Sequence, residues 1–320
     1  MITLGTDPWS MEVRTRLRES AHYATLKAWA AGQDPASLDT PYYDRLITVK
    51  RAPPEKAARM QANFHALAQA APNWPTPEPV ERNGVWQGPI MFRIQADGAL
   101  ASEDGWHRKA ILEHLGLPIE GRVIDRDPAW ANLQARLRSC MNRSGWKGSL
   151  YQPIPHPDFA TWPVHYQPPA DLPRIAREHG VRSVLDLGAH FGTVLTTLQP
   201  EVGVGVEKDA LTFEVTQLVL NKHGLTPVRA DVLSHLRASD TRYDLVLALA
   251  ILHHIPQHAE VLDLIRSRAR YVAVTVPTPA EAGSARLPDG ALDYVRERLG
   301  GTLRGTSTHA GRPLHFLGVA

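Results

Sequence analysis

The chain has 320 residues, 43% of them hydrophobic, with 35 Lys and Arg against 33 Asp and Glu for a net charge of +2. That length accommodates two domains with packed cores, and so balanced a charge exerts no overall pull toward nucleic acid or membrane. The lone Cys140 excludes an internal disulfide and any Cys-rich zinc site. No apolar run approaches the roughly 18 residues of a membrane span, and the first residues carry neither a basic stretch nor a long apolar one. A cytoplasmic protein with no membrane contact is therefore expected. The 26 prolines concentrate in segments 35–54, 72–89 and 153–173, which read as boundaries and connectors.

In chain order, residues 9–31 and 55–71 carry helical patterns, with Met60, Phe64 and Leu67 along one face of the second. Gly88 to Ile94 reads as a short strand, and a turn at Asp97-Gly98 leads into Ala99, Leu100 and Ala101. Glu103-Asp104-Gly105-Trp106-His107-Arg108 then opens a helix over Lys109 to Leu115 that stops at Gly116, before a strand from Gly121 to Asp125. This order of strand, D-G-x-H-R turn, helix and strand resembles the ParB/sulfiredoxin-like fold over residues 85–130. The resemblance implies that the backbone amides of this turn, with the basic side chains of His107 and Arg108, face nucleotide phosphates, with Asp104 a further candidate contact to nucleotide or substrate. A helix N-terminus with two basic side chains is in physical terms an anion-binding corner. The alternative is that Asp104 caps the helix and Arg108 pairs with an acid such as Glu103, leaving a module that only positions a substrate or partner.

Arg126, Arg136, Arg138, Arg143 and Lys147, interleaved with Trp130 and Trp146, could contact nucleic acid by phosphate binding and stacking. The same stretch also reads as the solvated face of an amphipathic helix over Leu133, Leu137 and Met141, and that reading is preferred. Residues 149–170 connect the halves with a polar, aromatic and proline-rich segment. Tyr151, Gln152 and His156 are its candidate substrate-recognition or lid residues, against a purely structural strap.

The second half is more legible. Ser183 to Leu187 is a short apolar strand interrupted by Asp186, and Gly188-Ala189-His190-Phe191-Gly192 follows as a tight turn into a helix. Val202 to Val206 is a second strand ending at Glu207, twenty-one residues after Asp186. An acid at that strand tip is where a nucleotide-binding βαβ unit holds ribose hydroxyls. A dinucleotide fingerprint needs G-x-G-x-x-G, whereas His190 and Thr193 occupy its second and third glycine positions. A carboxylate at Asp186 repels phosphate and suits a cationic ligand. A helix follows from Ala210 to His223, stopped by Gly224, and Thr226 to Asp231 reads as a third strand ending in an acid. Tyr243 to Leu249 and Ala269 to Val276 are further strands, Ala291 to Leu299 is a helix, and 302–306 with 314–319 form a closing hairpin.

D-L-G-x-x-x-G followed by a strand-tip acid resembles the class I S-adenosylmethionine (SAM) methyltransferases over residues 171–320. The expected fold is α/β: a C-terminal Rossmann-like seven-stranded methyltransferase sheet with a smaller α+β ParB-like N-terminal domain. The expected divisions are a helical segment at 1–75, the ParB-like module at 76–148, the connector at 149–170 and the methyltransferase domain at 171–320. The resemblance implies SAM as cofactor, with contacts from Asp186, Gly188, Ala189, His190, Gly192, Glu207, Asp231, Val232 and Leu249. Asp231 would take the adenine amino group and the Val232 N–H a ring nitrogen.

The loop after the fourth strand, Leu249-Ala250-Ile251-Leu252, lacks the N/D-P-P-Y/F motif used on nucleobase amino groups, and Cys140 sits in no cytosine-C5 motif. Nucleic acid is thus disfavoured as acceptor. What remains is an oxygen, nitrogen or carbon of a small-molecule or glycan-like acceptor. Leu252-His253-His254-Ile255 resembles the L-H-H of small-molecule members, where an imidazole with a pKa of about 6.5 can act as general base or simply support the pocket wall. His253, His254 and His258 lack a metal-ligand motif, so no metal is expected. Two further classes stay open: a SAM-binding regulatory protein whose nucleotide-binding module carries the output, and a nucleic-acid methyltransferase. Nothing in the sequence fixes the oligomeric state.

Overall fold

The computed structural model describes residues 2–5, 7–71, 80–82, 85–87, 90–102, 105–143, 148–276, 287–288, 290–309 and 312–319. Glu103, Asp104, Trp146 and Lys147, on which expectations above fall, lie outside the described residues. The chain divides into two units, Met1–Gln134 with His156–Asp158, and Ala135–Pro155 with Phe159–Ala320.

The first unit begins with β1 (Ile2–Thr3) and four helices, α1 (Pro8–Arg18), α2 (Ala21–Ala30), α3 (Pro41–Thr48) and α4 (Pro54–Ala70). Residues 9–31 make two helices rather than one. Ser20 leaves the helical conformation and its hydroxyl accepts from Tyr23 N, starting α2. The proline-rich stretch 35–54 also contains α3, started by the Thr40 cap and by Pro41 in the first turn. Tyr42 and Leu46 of α3 join Leu26, Phe64, Ala110 and Ile111 in one apolar cluster.

A short hairpin, β2 (Val80–Arg82) and β3 (Val85–Gln87), precedes β4 (Ile90–Ile94), β5 (Leu100–Ser102), α5 (Trp106–His114), β6 (Glu120–Arg126) and α6 (Pro128–Arg143). Four of these strands form a sheet in the order β1-β6-β4-β5, with β4 parallel to β6 and the other pairs antiparallel. Trp130, Leu133, Leu137 and Met141 of α6 are all buried, so this helix is the amphipathic element expected for the basic stretch.

The second unit alternates strands with helices: α7 (Leu172–Glu178), β7 (Ser183–Leu187), α8 (Thr193–Leu198), β8 (Val202–Glu207), α9 (Ala210–Lys222), β9 (Thr226–Arg229), α10 (Val232–Ala238) and β10 (Tyr243–Ala248). It closes with α11 (His258–Arg268), β11 (Ala269–Thr275), α12 (Ala291–Leu299), β12 (Thr302–His309) and β13 (Arg312–Gly318). The seven strands lie in the order β12-β13-β11-β10-β7-β8-β9, and β13 is antiparallel to both of its neighbours. Successive residues of a strand serve opposite faces. Leu185 and Leu187 of β7 pack with α10, α11 and α12, while Val184 packs with α7, α8 and α9. Burial on both faces explains the near-continuous apolar runs. From β7 the chain steps outward through β8 to β9, then returns to the other side of β7 as β10. That reversal opens a crevice beyond the carboxyl ends of the strands, where a doubly wound sheet binds its ligand.

Two expectations are corrected. The third strand ends at Arg229, and Asp231 instead caps α10, its carboxylate accepting from Leu233 N and Ser234 N. The terminal hairpin is longer, with β12 running to His309 and β13 starting at Arg312.

Candidate functional site

A cavity of about 550 Å³ lies wholly within the second unit, at the carboxyl ends of β7, β8, β9 and β10. That volume falls in the usual range for small-molecule sites. Gly188 lines it from the turn after β7, Glu207 from the tip of β8, Asp231 and Val232 from the segment after β9, and Leu249 from the loop after β10. Tyr151, Gln152, His190 and His254 complete the set of expected residues found in its wall.

The turn after β7 is shaped by its backbone. Gly188 has φ +75° and Gly192 φ +76°, conformations that side-chain-bearing residues rarely adopt. The two glycines serve different ends. A Cβ on Gly188 would approach the Ile251 side chain to 3.0 Å at the cavity wall, whereas one on Gly192 would strike Leu220 of α9 at 2.7 Å. Gly192 thus permits helix packing rather than ligand approach, and it does not line the cavity. Ala189 likewise lies behind the wall, fully buried against Gly205.

The amides of this turn are already committed. Gly188 N and Ala189 N both donate to Val206 O at 2.9 Å, and His190 N donates to Glu207 Oε2 at 3.1 Å. A phosphate cradle requires such amides to be free and aimed at the ligand. Here they tie the turn to β8.

Carboxylates dominate the wall: Glu207, Asp209 and Asp231 line the cavity against the single amine of Lys208. Burial pushes the Glu207 carboxyl above its ordinary range, although the amides of Asp209, His190 and Lys208 oppose the rise. Asp209 is held low by Thr212 N, whose helix it caps. Asp186 is not in the wall. It is 3% exposed, with no cation partner among the described residues, and burial followed by the charge of Glu207 raises its pKa to about 7. Burial lowers His190 to about 3, so this cavity-wall imidazole is neutral at pH 7. Tyr151 covers it, with ring centroids 4.9 Å apart.

The two histidines after β10 part company. They belong to a short 3₁₀ turn, Leu252–His254, with ring centroids 4.0 Å apart. Only His254 lines the cavity, where it is exposed. His156 is not at the cavity. It is buried in the first unit, where Nε2 meets Gly98 O at 2.8 Å, Nδ1 accepts from Asp158 N, and the ring packs against Trp9 and Trp130. His107 also faces inward, with Nε2 2.5 Å from Tyr42 Oη and its ring among His22, Tyr42 and Phe64. Arg108 sits one residue further along α5, and Asp104 is outside the described residues.

Leu137, Cys140, Leu211, Thr212 and Ala230 also line the cavity, and none was anticipated there. The apolar spacing of α6 marks Leu137 as buried but does not say against what. Among the described residues no group of three or more His, Cys, Asp and Glu side chains could hold a metal ion, and no helix is long and apolar enough to cross a membrane.

No family model and no curated protein matches this chain. Solved structures are similar to it over about half of its length. The bifunctional kinase-methyltransferase WbdD is 17% identical, with a TM-score of 0.43 over 57% of this chain and 46% of its own. The N-terminal domain of EvdMO1, crystallised in the presence of SAH and D-fucose, is 19% identical with a TM-score of 0.36 over 48% of this chain and 82% of its own. Magnesium protoporphyrin IX methyltransferase (ChlM) from Synechocystis PCC 6803, with bound SAH, is 14% identical with a TM-score of 0.37 over 46% of this chain and 80% of its own. This chain thus spans less than half the length of WbdD. What the cavity holds is read from its own residues.

Proposed function

We propose that the second unit is a SAM-dependent methyltransferase acting on an oxygen, nitrogen or carbon of a small-molecule or glycan-like acceptor. One observation carries this reading: Glu207, Asp209 and Asp231 line a cavity beside a turn whose amides are spent on Val206 O and Glu207. Such a wall attracts a cation and gives a pyrophosphate nothing to bind.

In this reading Glu207 accepts the ribose hydroxyls. Asp231 accepts the adenine amino group, and Val232 N–H, an amide in the first turn of α10, donates to the ring. Gly188 and Leu249 border the reacting centre. When bound, SAM supplies a methyl group on a positive sulfur, already activated for attack. The chain's own part is to hold the acceptor in line and manage its proton. His254, exposed in the wall and held by its amide to Ile251 O, takes that proton where the acceptor carries one. His253 supports it from outside the wall.

The ParB/sulfiredoxin-like resemblance rests on the sequence order over residues 85–130, and on that basis we read the first unit as a positioning module. Because His107 is taken up by Tyr42, a nucleotide-holding turn is the weaker reading. Nucleic acid is also the weaker acceptor, since Arg136 pairs with Glu214 and Arg138 stacks over Trp162.

Calorimetric titration with SAM followed by a radiolabelled methyl-transfer screen against metabolite, glycan, RNA and DNA pools tests the proposal. Gly188→Val adds a Cβ against Ile251 at positive φ, and loss of all SAM binding is expected. Normal affinity in that variant would remove the cofactor assignment, and binding without turnover on any pool would favour a regulatory SAM-binding protein.

A further inference from the structure

We propose that Gln152 grips the amino-acid end of the bound cofactor, its carboxamide meeting both the ammonium and the carboxylate; this rests on the SAM reading above. Gln152 is 6% exposed and lines the cavity, yet its Oε1 is wholly buried without a hydrogen-bond partner. A buried amide in that state is costly, and native proteins keep few of them without a reason. The residue lines the cavity and turning its carboxamide over exchanges the oxygen and nitrogen, so a ligand there is the partner that would complete it.

The backbone fixes where this amide sits. Leu150 N donates to Pro163 O, and His165 N and Tyr166 N donate to Leu150 O and Tyr151 O, so the segment is a paired strap rather than a loose linker. On one side of Gln152, the Tyr151 ring lies over His190 of the turn after β7. On the other, Pro153 O accepts from Thr193 Oγ1 at 2.5 Å, at the start of α8. Residue 152 is therefore bracketed by two contacts to the turn between β7 and α8. The ribose acceptor Glu207 belongs to β8 and the base-binding pair Asp231 and Val232 follows β9. A ligand with its base and ribose at those tips can extend only toward β7 and β10. Its amino-acid end then reaches the turn that Gln152 overlies.

The side chain suits that end. A carboxamide offers one acceptor and two donors, so it can accept from an ammonium and donate to a carboxylate in one contact. A charged side chain would serve only one half of the zwitterion.

The test uses the full chain and two probes, SAH and 5′-methylthioadenosine, which keeps the nucleoside and sulfur but lacks the amino-acid end. Wild-type protein should bind SAH more tightly. Gln152→Leu should weaken SAH by about tenfold or more, the value of a hydrogen bond to a charged group. It should leave 5′-methylthioadenosine within about twofold, and raise the ligand-free melting temperature because the unsatisfied amide is gone. Gln152→Glu, which repels the carboxylate, should lose SAH selectively as well and decides the matter alone should the leucine variant misfold.

Unchanged SAH affinity in both variants, or an equal loss for both probes, would overturn the proposal. So would a wild type that binds both probes equally. A wild type that binds neither would instead bring down the SAM reading, and this proposal with it.

Discussion

Asp158 in the first unit and Asp186 in the second are both buried aspartates, and their surroundings differ in every other respect. Asp158 accepts from Arg126 Nε at 2.8 Å and Nη2 at 2.6 Å, from Trp130 Nε1 at 2.9 Å and from Gln134 Nε2 at 2.7 Å. Burial acts to raise its pKa, but the donors of Arg126 and Trp130 outweigh burial and hold the carboxyl below its ordinary value. Asp186 has no such donors among the described residues, and burial together with Glu207 lifts it to about 7. Burial alone therefore says little about a carboxylate. The donors decide whether it holds a fold together or stays strained beside a ligand site.

Asp158→Ala should have the largest effect on stability. It strands the Arg126 guanidinium and the Trp130 N–H, and a loss of about 3 kcal/mol is expected, read as a lower urea midpoint at pH 7. Asp158 has a depressed folded pKa, so its contribution is present above the unfolded value of 3.8 and is lost as pH falls through the folded one.

Asp186→Asn should act in the opposite sense. Its folded pKa of about 7 lies above the unfolded 3.8, so the folded state holds the proton more tightly and stability falls as pH rises between those values. The asparagine variant removes that slope and should gain about 2 kcal/mol at pH 8. Thermal melts from pH 4 to pH 8 (roughly the window between the two values) would show the wild type losing stability relative to the variant as pH rises. Parallel curves would end the contrast. Arg136→Ala, which breaks an exposed pair with Glu214, should change stability by less than about 0.5 kcal/mol and leave SAM affinity intact. A larger shift in the urea midpoint would give that surface pair a weight its exposure does not support.

Much of the second unit was legible because its strands announce themselves locally. Val184, Leu185 and Leu187, or Leu245, Val246 and Leu247, are apolar runs that only a doubly covered strand needs. What escaped needed either a weaker local signal or the third dimension. Thr40-Pro41 is a helix start that the surrounding prolines obscured. Val261, Leu262 and Ile265 carry the helical spacing of α11, but the helix is short and begins without a side-chain cap to mark it. Gly192 looks like a ligand-contact glycine in sequence, and only Leu220, from another helix, reveals its packing role. His156 reads as a site residue because it stands among aromatics. Its partners Gly98, Trp9 and Trp130 lie far away along the chain. Cys140 and Leu137 reach the cavity from a helix that no motif connects to it.

The outermost strand beside Glu207 is β9, four residues long, and its second residue is Pro227, paired with Gly205. A proline has no amide hydrogen to offer an incoming strand. So short an edge, interrupted in this way, is a poor template for another chain, which guards the ligand-binding margin of the sheet against runaway polymerisation.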